Sequence, residues 1–134
     1  MLFQQAHIEA YESSDGKIGH EWMEGVYTLV LHTVGRTSGA VRKFAVIYRE
    51  VDGRYVLVAS RGGMDTHPNW YLNLVAQPEV QVQVAAEKFT VRAHTAEGPE
   101  RAALWPLMVE TFPTYAEYQQ MTSRVLPVVV LTRV

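Results

Sequence analysis

The segment VRKFAVIYREVDGRYVLVAS, residues 41–60, constrains the fold more than any other part of the chain. Phe44, Val46 and Tyr48 alternate with their neighbours in the period of a strand. Arg54–Ser60 is a second apolar run, and Asp52-Gly53 stands between the two. A tight two-residue connection needs positive φ at its central positions, which Asp and Gly tolerate best, so the pair reads as a β-hairpin. Hairpin-linked strands are antiparallel, which argues for a sheet or barrel rather than a βαβ stack.

The rest of the chain extends that reading. VYTLVLHTV, Val26–Val34, is β-branched and largely apolar, as a buried strand would be. EVQVQVA, Glu79–Ala85, alternates strictly, and EKFTVRAHTA, Glu87–Ala96, pairs with it as a second hairpin. VLPVVVLTRV ends the chain as a strand. Phe3, Ala6, Ile8, Ala10 and Tyr11 suggest a short opening helix stopped at Asp15-Gly16. Pro68 suits the first turn of a helix carrying Trp70, Leu72, Leu74 and Val75, with Pro78 beyond its end. GPERAALWPLMVETF reads as a helix from Pro99 in which Pro106 implies a kink or a break. TYAEYQQMTS reads as a further helix capped by Thr114. The expectation is a mainly β chain with helical inserts (α+β), six antiparallel strands closing a small barrel. Its 134 residues suit one domain, 1–134.

Composition narrows the chemistry. The chain has no cysteine, which excludes disulfides, thiolate metal sites and thiol catalysis, and fits a reducing cytoplasm. The opening residues lack a basic segment followed by an apolar run, so no signal peptide is expected. No stretch approaches the roughly 18 apolar residues of a membrane span. A net charge of −2 gives no reason to expect nucleic acid. Yet Arg36, Arg42, Lys43, Arg49, Arg54 and Arg61 are six of the 12 Lys and Arg residues, and Val26–Arg49 contains no Asp or Glu. Such a stretch is either a strand edge guarded by cations or a site for a small anion.

Familiar catalytic motifs are absent. GRTSGAVRK lacks P-loop spacing, ASRGG lacks the frame of a nucleophile elbow around Ser60, and HEWME fails the zinc pattern. The five histidines are scattered, and no carboxylate pair stands out; no metal site is expected. A chain without its own nucleophile, metal or acid–base pair is suited to leave the chemistry to a cofactor. Four segments offer binding groups. The turn VGRTSGAVRK supplies Arg36, Ser38 and Arg42, with glycines that let backbone N–H groups approach an anion. ASRGG supplies Ser60, Arg61 and two glycines, HPNWYLNL supplies Trp70, Tyr71 and Asn73, and FPTYAEYQ supplies Phe112, Tyr115 and Tyr118. Each has a plainer reading: core packing for Trp70, a buried helical face for Tyr115 and Tyr118, a solvated loop for Arg61.

Taken in order, TVGRTSGAVR, DGRYVLVASRGG, HPNWYLNLVAQPEVQVQV and LWPLMVETFPTYAEYQQMTSRVLPVVVL resemble the deazaflavin-dependent nitroreductase family over nearly the whole chain. These are small split-barrel, FMN-binding-like reductases, typical of actinobacteria, that use coenzyme F-420. The resemblance implies that Arg36, Ser38 and Arg42 hold the phosphate and glutamate tail of the reduced deazaflavin. It implies that Ala59, Ser60, Arg61, Gly62 and Gly63 run along the ring and its linker, with Trp70 and Asn73 nearby. Tyr115 and Tyr118 match the tyrosines of the substrate side, where one of them or solvent supplies a proton. Three positions depart from the family pattern: Thr37 stands for a usual Lys, Ala45 for a frequent Pro, and Phe112 for a tyrosine of the founding nitroreductase.

The implied activity is hydride transfer to an electrophilic small molecule: a quinone, an enone, a lactone or a nitroaromatic. An FMN-dependent split-barrel oxidoreductase and a non-catalytic cofactor-binding protein stay open as alternatives. So do monomer against homodimer, and peripheral contact with the inner face of the membrane.

Overall fold

The computed structural model of the chain describes residues 2–134. Its strands are β1 (Glu21–Met23), β2 (Val26–Val34), β3 (Val41–Val51), β4 (Arg54–Val58), β5 (Glu79–Val84), β6 (Glu87–Thr95) and β7 (Val128–Arg133). The helices are α1 (Gln4–Ser13), α2 (Asn69–Ala76), α3 (Gly98–Thr111) and α4 (Thr114–Gln120), with a 3-10 turn at Arg61–Gly63. The strands are hydrogen-bonded in the order β1-β2-β3-β4-β7-β6-β5, and β5 returns to pair with β2. All the pairings are antiparallel, so six strands close a barrel.

The hairpins at Asp52-Gly53 and Ala85-Ala86 form where the sequence places them. Closure depends on distant pairings: Leu57 faces Val129 across β4 and β7, and Leu31 faces Val82 across β2 and β5. β1 is a seventh strand that the sequence reading lacks. Three residues are too few to show a period, and β1 takes the part of the β2 edge that β5 leaves free, at Val26 and Tyr27.

Strand alternation divides the apolar residues between two cores. Leu29, Leu31, Leu57, Val82, Val91, Val129 and Leu131 fill the barrel. Val56, Val58, Val128 and Val130 point the other way, against Leu104 and Met108 of α3 and Tyr115 of α4. β4 and β7 therefore read as continuous apolar runs because both of their faces are covered. Removing a side chain such as Leu57 to alanine would cost about 2–5 kcal/mol.

On the far side, α1 lies over β2, with Ile8 and Tyr11 against Val30. The buried Tyr11 hydroxyl donates to the Thr28 carbonyl at 2.9 Å and accepts from the Ala85 amide at 2.7 Å, and burial pushes its pKa up to about 12. Two helical details differ from expectation. α3 runs through Pro106 without a break, and Thr114 is the first residue of α4 rather than its cap, which is Pro113. Among the described residues no helix is long and apolar enough to cross a membrane.

Candidate functional site

Two neighbouring hollows lie along β3 and the start of α2. The first is the basic turn. Gly39 N–H donates to Gly35 O at 2.8 Å and Gly35 N–H to Ala40 O at 2.7 Å, which closes the loop on itself. A Cβ at Gly35 would stand 2.8 Å from Ser38 Oγ and 3.2 Å from the Ala40 carbonyl oxygen, so a larger residue there would push Ser38 out of its place in the turn. Ser38 Oγ accepts the Ala40 amide at 3.2 Å and keeps its own proton for another partner. The hollow is lined by Arg36, Thr37, Ser38, Arg42, Phe44, Asn69 and Asn73, without an acidic residue.

The cations of this turn are held in three ways. Arg36 Nη1 donates to Asn73 Oδ1 at 2.8 Å, and Asn73 Nδ2 donates to Thr33 Oγ1 at 3.1 Å. Asn73 is thus a buried tie between the turn and α2, and it fixes Arg36 without neutralising it. Arg42 is exposed, and no carboxylate among the described residues pairs with it. Lys43, one residue further along the strand, points to the other face and bonds Glu12 of α1 at 3.0 Å. It does not replace the cation that Thr37 lacks.

The second hollow, about 280 Å³, is walled by Ser60, Arg61, Gly62 and Trp70 and by Trp22, Phe112, Tyr115 and Tyr118, with Ala45, Val46 and Ile47 of β3 also facing it. Trp70 serves both of its readings, since it is 8% exposed, packs on the barrel core and lines the hollow. The same holds for Tyr115, which is 3% exposed and shared with the second core. Burial, with a smaller contribution from Tyr118, raises the Tyr115 pKa, so its hydroxyl stays protonated. Phe112 meets Tyr115 at 5.1 Å and Trp22 at 6.3 Å between ring centroids, and Phe3 meets Trp22 edge-on at 5.8 Å.

Ala59 is the exception among the expected site residues. Alternation along β4 turns its methyl into the barrel core, so only its backbone belongs to this region. Beyond it the chain makes three successive left-handed residues, with φ of 46° at Arg61, 61° at Gly62 and 79° at Gly63. Gly63 has a second reason to be glycine, because a Cβ would lie 2.7 Å from the Tyr118 carbonyl oxygen. The Arg61 guanidinium bonds the Thr66 hydroxyl.

Sequence reasoning missed two groups here. Phe3 is read from sequence only as an apolar position of the opening helix, and Trp22 lies in a three-residue strand too short to show a period. Arg124 lies between α4 and β7, inside the last of the four resembling segments but with no role assigned to it there, yet it contacts four groups of the Ala59–His67 segment. Among the described residues no cluster of His, Asp or Glu is arranged to hold a metal.

A six-stranded barrel with a cation-rich turn and an aromatic hollow, lacking a nucleophile or acid–base pair of its own, has the layout of a cofactor-dependent oxidoreductase. The comparisons make the class specific. The family model for F420H(2)-dependent quinone reductases matches residues 3–133. An F420H(2)-dependent quinone reductase of Mycobacterium tuberculosis is 38% identical over 130 residues, covering 95% of this chain and 87% of the relative. A solved F420-H2 dependent reductase superimposes with a TM-score of 0.72 at 40% identity, over 78% of this chain and 92% of that one. Another solved chain, described as a domain-swapped dimer, also gives 0.72 at 40% identity, over 78% of each chain. The chain belongs to the F420H(2)-dependent quinone reductase family and is an oxidoreductase enzyme.

Proposed function

We propose that the protein passes a hydride from reduced coenzyme F-420 to a quinone. The observation that carries this reading is that β3 and α2 each contribute to both hollows. Arg42 and Phe44 line the hollow at the basic turn while Ala45, Val46 and Ile47 line the aromatic one, and Asn69 and Asn73 line the first while Trp70 lines the second. At about 3.3 Å per strand residue, Arg42 and Val46 lie roughly 13 Å apart along β3. That spacing suits an elongated ligand with an anionic tail and a flat ring, as F-420 has and FMN has only in part.

The residues present fit such a group. The turn is free of acid, and Arg36, Ser38 and Arg42 would hold the phosphate and glutamates. At Gly62 an added Cβ would meet nothing within 4 Å, so a planar ring can approach the bare backbone of Ser60–Gly62, with Trp70 beside it. Ala59 contributes its backbone alone. When bound, reduced F-420 supplies the hydride. Trp22, Phe112 and Phe3 would exclude water and hold a flat acceptor by stacking. Tyr115, kept protonated by burial, would donate a hydrogen bond to the acceptor oxygen, and the proton that completes the quinol would come from Tyr115 or from solvent at the half-exposed Tyr118. Orientation and water exclusion are the protein's contribution to the rate.

The test follows oxidation of reduced F-420 in a stopped-flow instrument against quinones, enones, lactones and nitroaromatics. Quinones should give the fastest turnover. The reading fails if the cofactor binds and no quinone raises its oxidation above the rate without protein.

A further inference from the structure

We propose that Arg124 is a positioning residue for hydride transfer, acting through the backbone of the Ala59–Met64 segment rather than by touching cofactor or acceptor. Its guanidinium donates to Ser60 O at 2.6 Å, to Met64 O at 2.7 Å and to Ala59 O at 3.1 Å, and faces His67 Nδ1 at 3.0 Å. These acceptors bracket the three left-handed residues, one of which, Arg61, carries a Cβ and is intrinsically strained there. The segment's own hydrogen bonds, Gly63 N–H to Ser60 O at 3.0 Å and Met64 N–H to Arg61 O at 3.2 Å, close a single short turn, and Arg124 adds three bonds to its carbonyls from outside. The planar fork of arginine matches several carbonyls at once, and a lysine ammonium would reach only some of them.

The inference rests on the reading that reduced F-420 lies against Ser60–Gly62. It goes beyond that reading by separating how the cofactor is oriented from how it is held. Arg124 lies on the ring side, whereas the tail grip belongs to the turn at Arg36–Arg42. Loosening the segment should therefore spoil reaction geometry while leaving most of the binding energy intact.

The clamp also has a titratable partner. Arg124 requires the unprotonated Nδ1 of His67, and the charged groups facing the pair are Arg61 and Asp65 on the loop. On α2, the Tyr71 ring packs against His67 at 5.0 Å. Burial first, and the Arg124 charge second, hold the His67 pKa below its ordinary value. Protonation at low pH places a second cation against Arg124 and opens the clamp.

The experiment compares wild type, Arg124→Lys and Arg124→Met. Amide hydrogen exchange without cofactor should rise at least about tenfold across Arg61–Met64 in Arg124→Met and stay unchanged at residues 35–42. In the same variant kcat should fall about 10- to 100-fold while the F-420 dissociation constant moves less than about threefold. Arg124→Lys should recover part of both, and it serves alone if the methionine variant does not fold. The acid limb of kcat in wild type should flatten, relative to its own plateau, in His67→Gln, which keeps an acceptor for Arg124. Unchanged exchange across Arg61–Met64 would overturn the proposal, as would raised exchange with an unchanged kcat, or equal losses in kcat and affinity. Failure of wild type to bind F-420 would sink the cofactor reading instead, and the exchange comparison would still decide the clamp.

Discussion

The turn at Gly35–Arg42 and the segment at Ala59–Met64 are both glycine-rich connections beside the same cavity system, yet they differ in what they present and in what holds them from outside. The turn is exposed and closes on itself by two backbone hydrogen bonds. What it presents outward are side chains: Arg36, steered by Asn73, and Arg42, paired with no carboxylate among the described residues. The second segment presents mostly backbone. Its own two backbone hydrogen bonds, Gly63 N–H to Ser60 O at 3.0 Å and Met64 N–H to Arg61 O at 3.2 Å, are joined by ties from outside, Arg124 on one flank and close approach to Tyr118 at Gly63 on the other. A grip made of solvated charge is adjustable and sensitive to salt, whereas a fixed backbone shape is neither.

The largest effect should come from the second segment. Gly63→Ala combines a positive φ with a Cβ placed 2.7 Å from backbone oxygen. It should cost roughly 2–4 kcal/mol of stability, read as a lower urea midpoint. A midpoint within experimental error of wild type would mean that the segment is not held against α4. Next in size, Arg42→Ala should weaken F-420 binding roughly 10- to 100-fold while changing stability by less than about 0.5 kcal/mol. Binding by that variant should also depend less steeply on salt. Normal affinity in a stable Arg42→Ala protein would remove the turn from the site.

Acid should separate the two regions as well. His20, His32 and His67 each have a pKa lowered by burial before any other cause. The unfolded chain therefore binds more protons below the ordinary histidine value, so stability is full above about pH 6.5 and declines as pH falls through the folded values. Urea midpoints at pH 7.5 and 5.5 should differ in that direction, and His67→Gln should reduce the difference. A midpoint that rises on acidification would contradict the burial of these rings. The turn holds no histidine or carboxylate and should contribute nothing to this slope. The smallest effect belongs to Thr37→Lys, which restores the usual cation of the turn. F-420 affinity should improve about two- to fivefold at low salt, and the gain should vanish at high salt. A gain that survived high salt would point to contacts other than solvated charge.

The hairpins, the barrel strands and α2 were legible because each rests on local information. The period of two in Glu79–Val84, the turn chemistry of Asp52-Gly53 and the position of Pro68 are all written within a few residues. The basic turn was legible for the same reason. Thr114 misled because a hydroxyl residue at a helix start suggests a cap, whereas the chain begins the helix at Thr114 after Pro113. Ala59 shows the limit of reading a site as a block, since alternation at the end of β4 sends its side chain into the core and that of Ser60 towards the hollow.

The sequence by itself determined the strands, the antiparallel hairpins, the charge of the turn and, through four motifs in series, the family. These features follow from neighbours in the chain, and neighbours act through propensity, periodicity and turn geometry. Only the tertiary structure decided that β2 meets β5, that Lys43 is taken by Glu12 and that Trp22 roofs the hollow. It alone brought Arg124 across some 60 residues to hold the backbone beneath the cavity. Those contacts join segments far apart in sequence, and their geometry exists only once the barrel has closed.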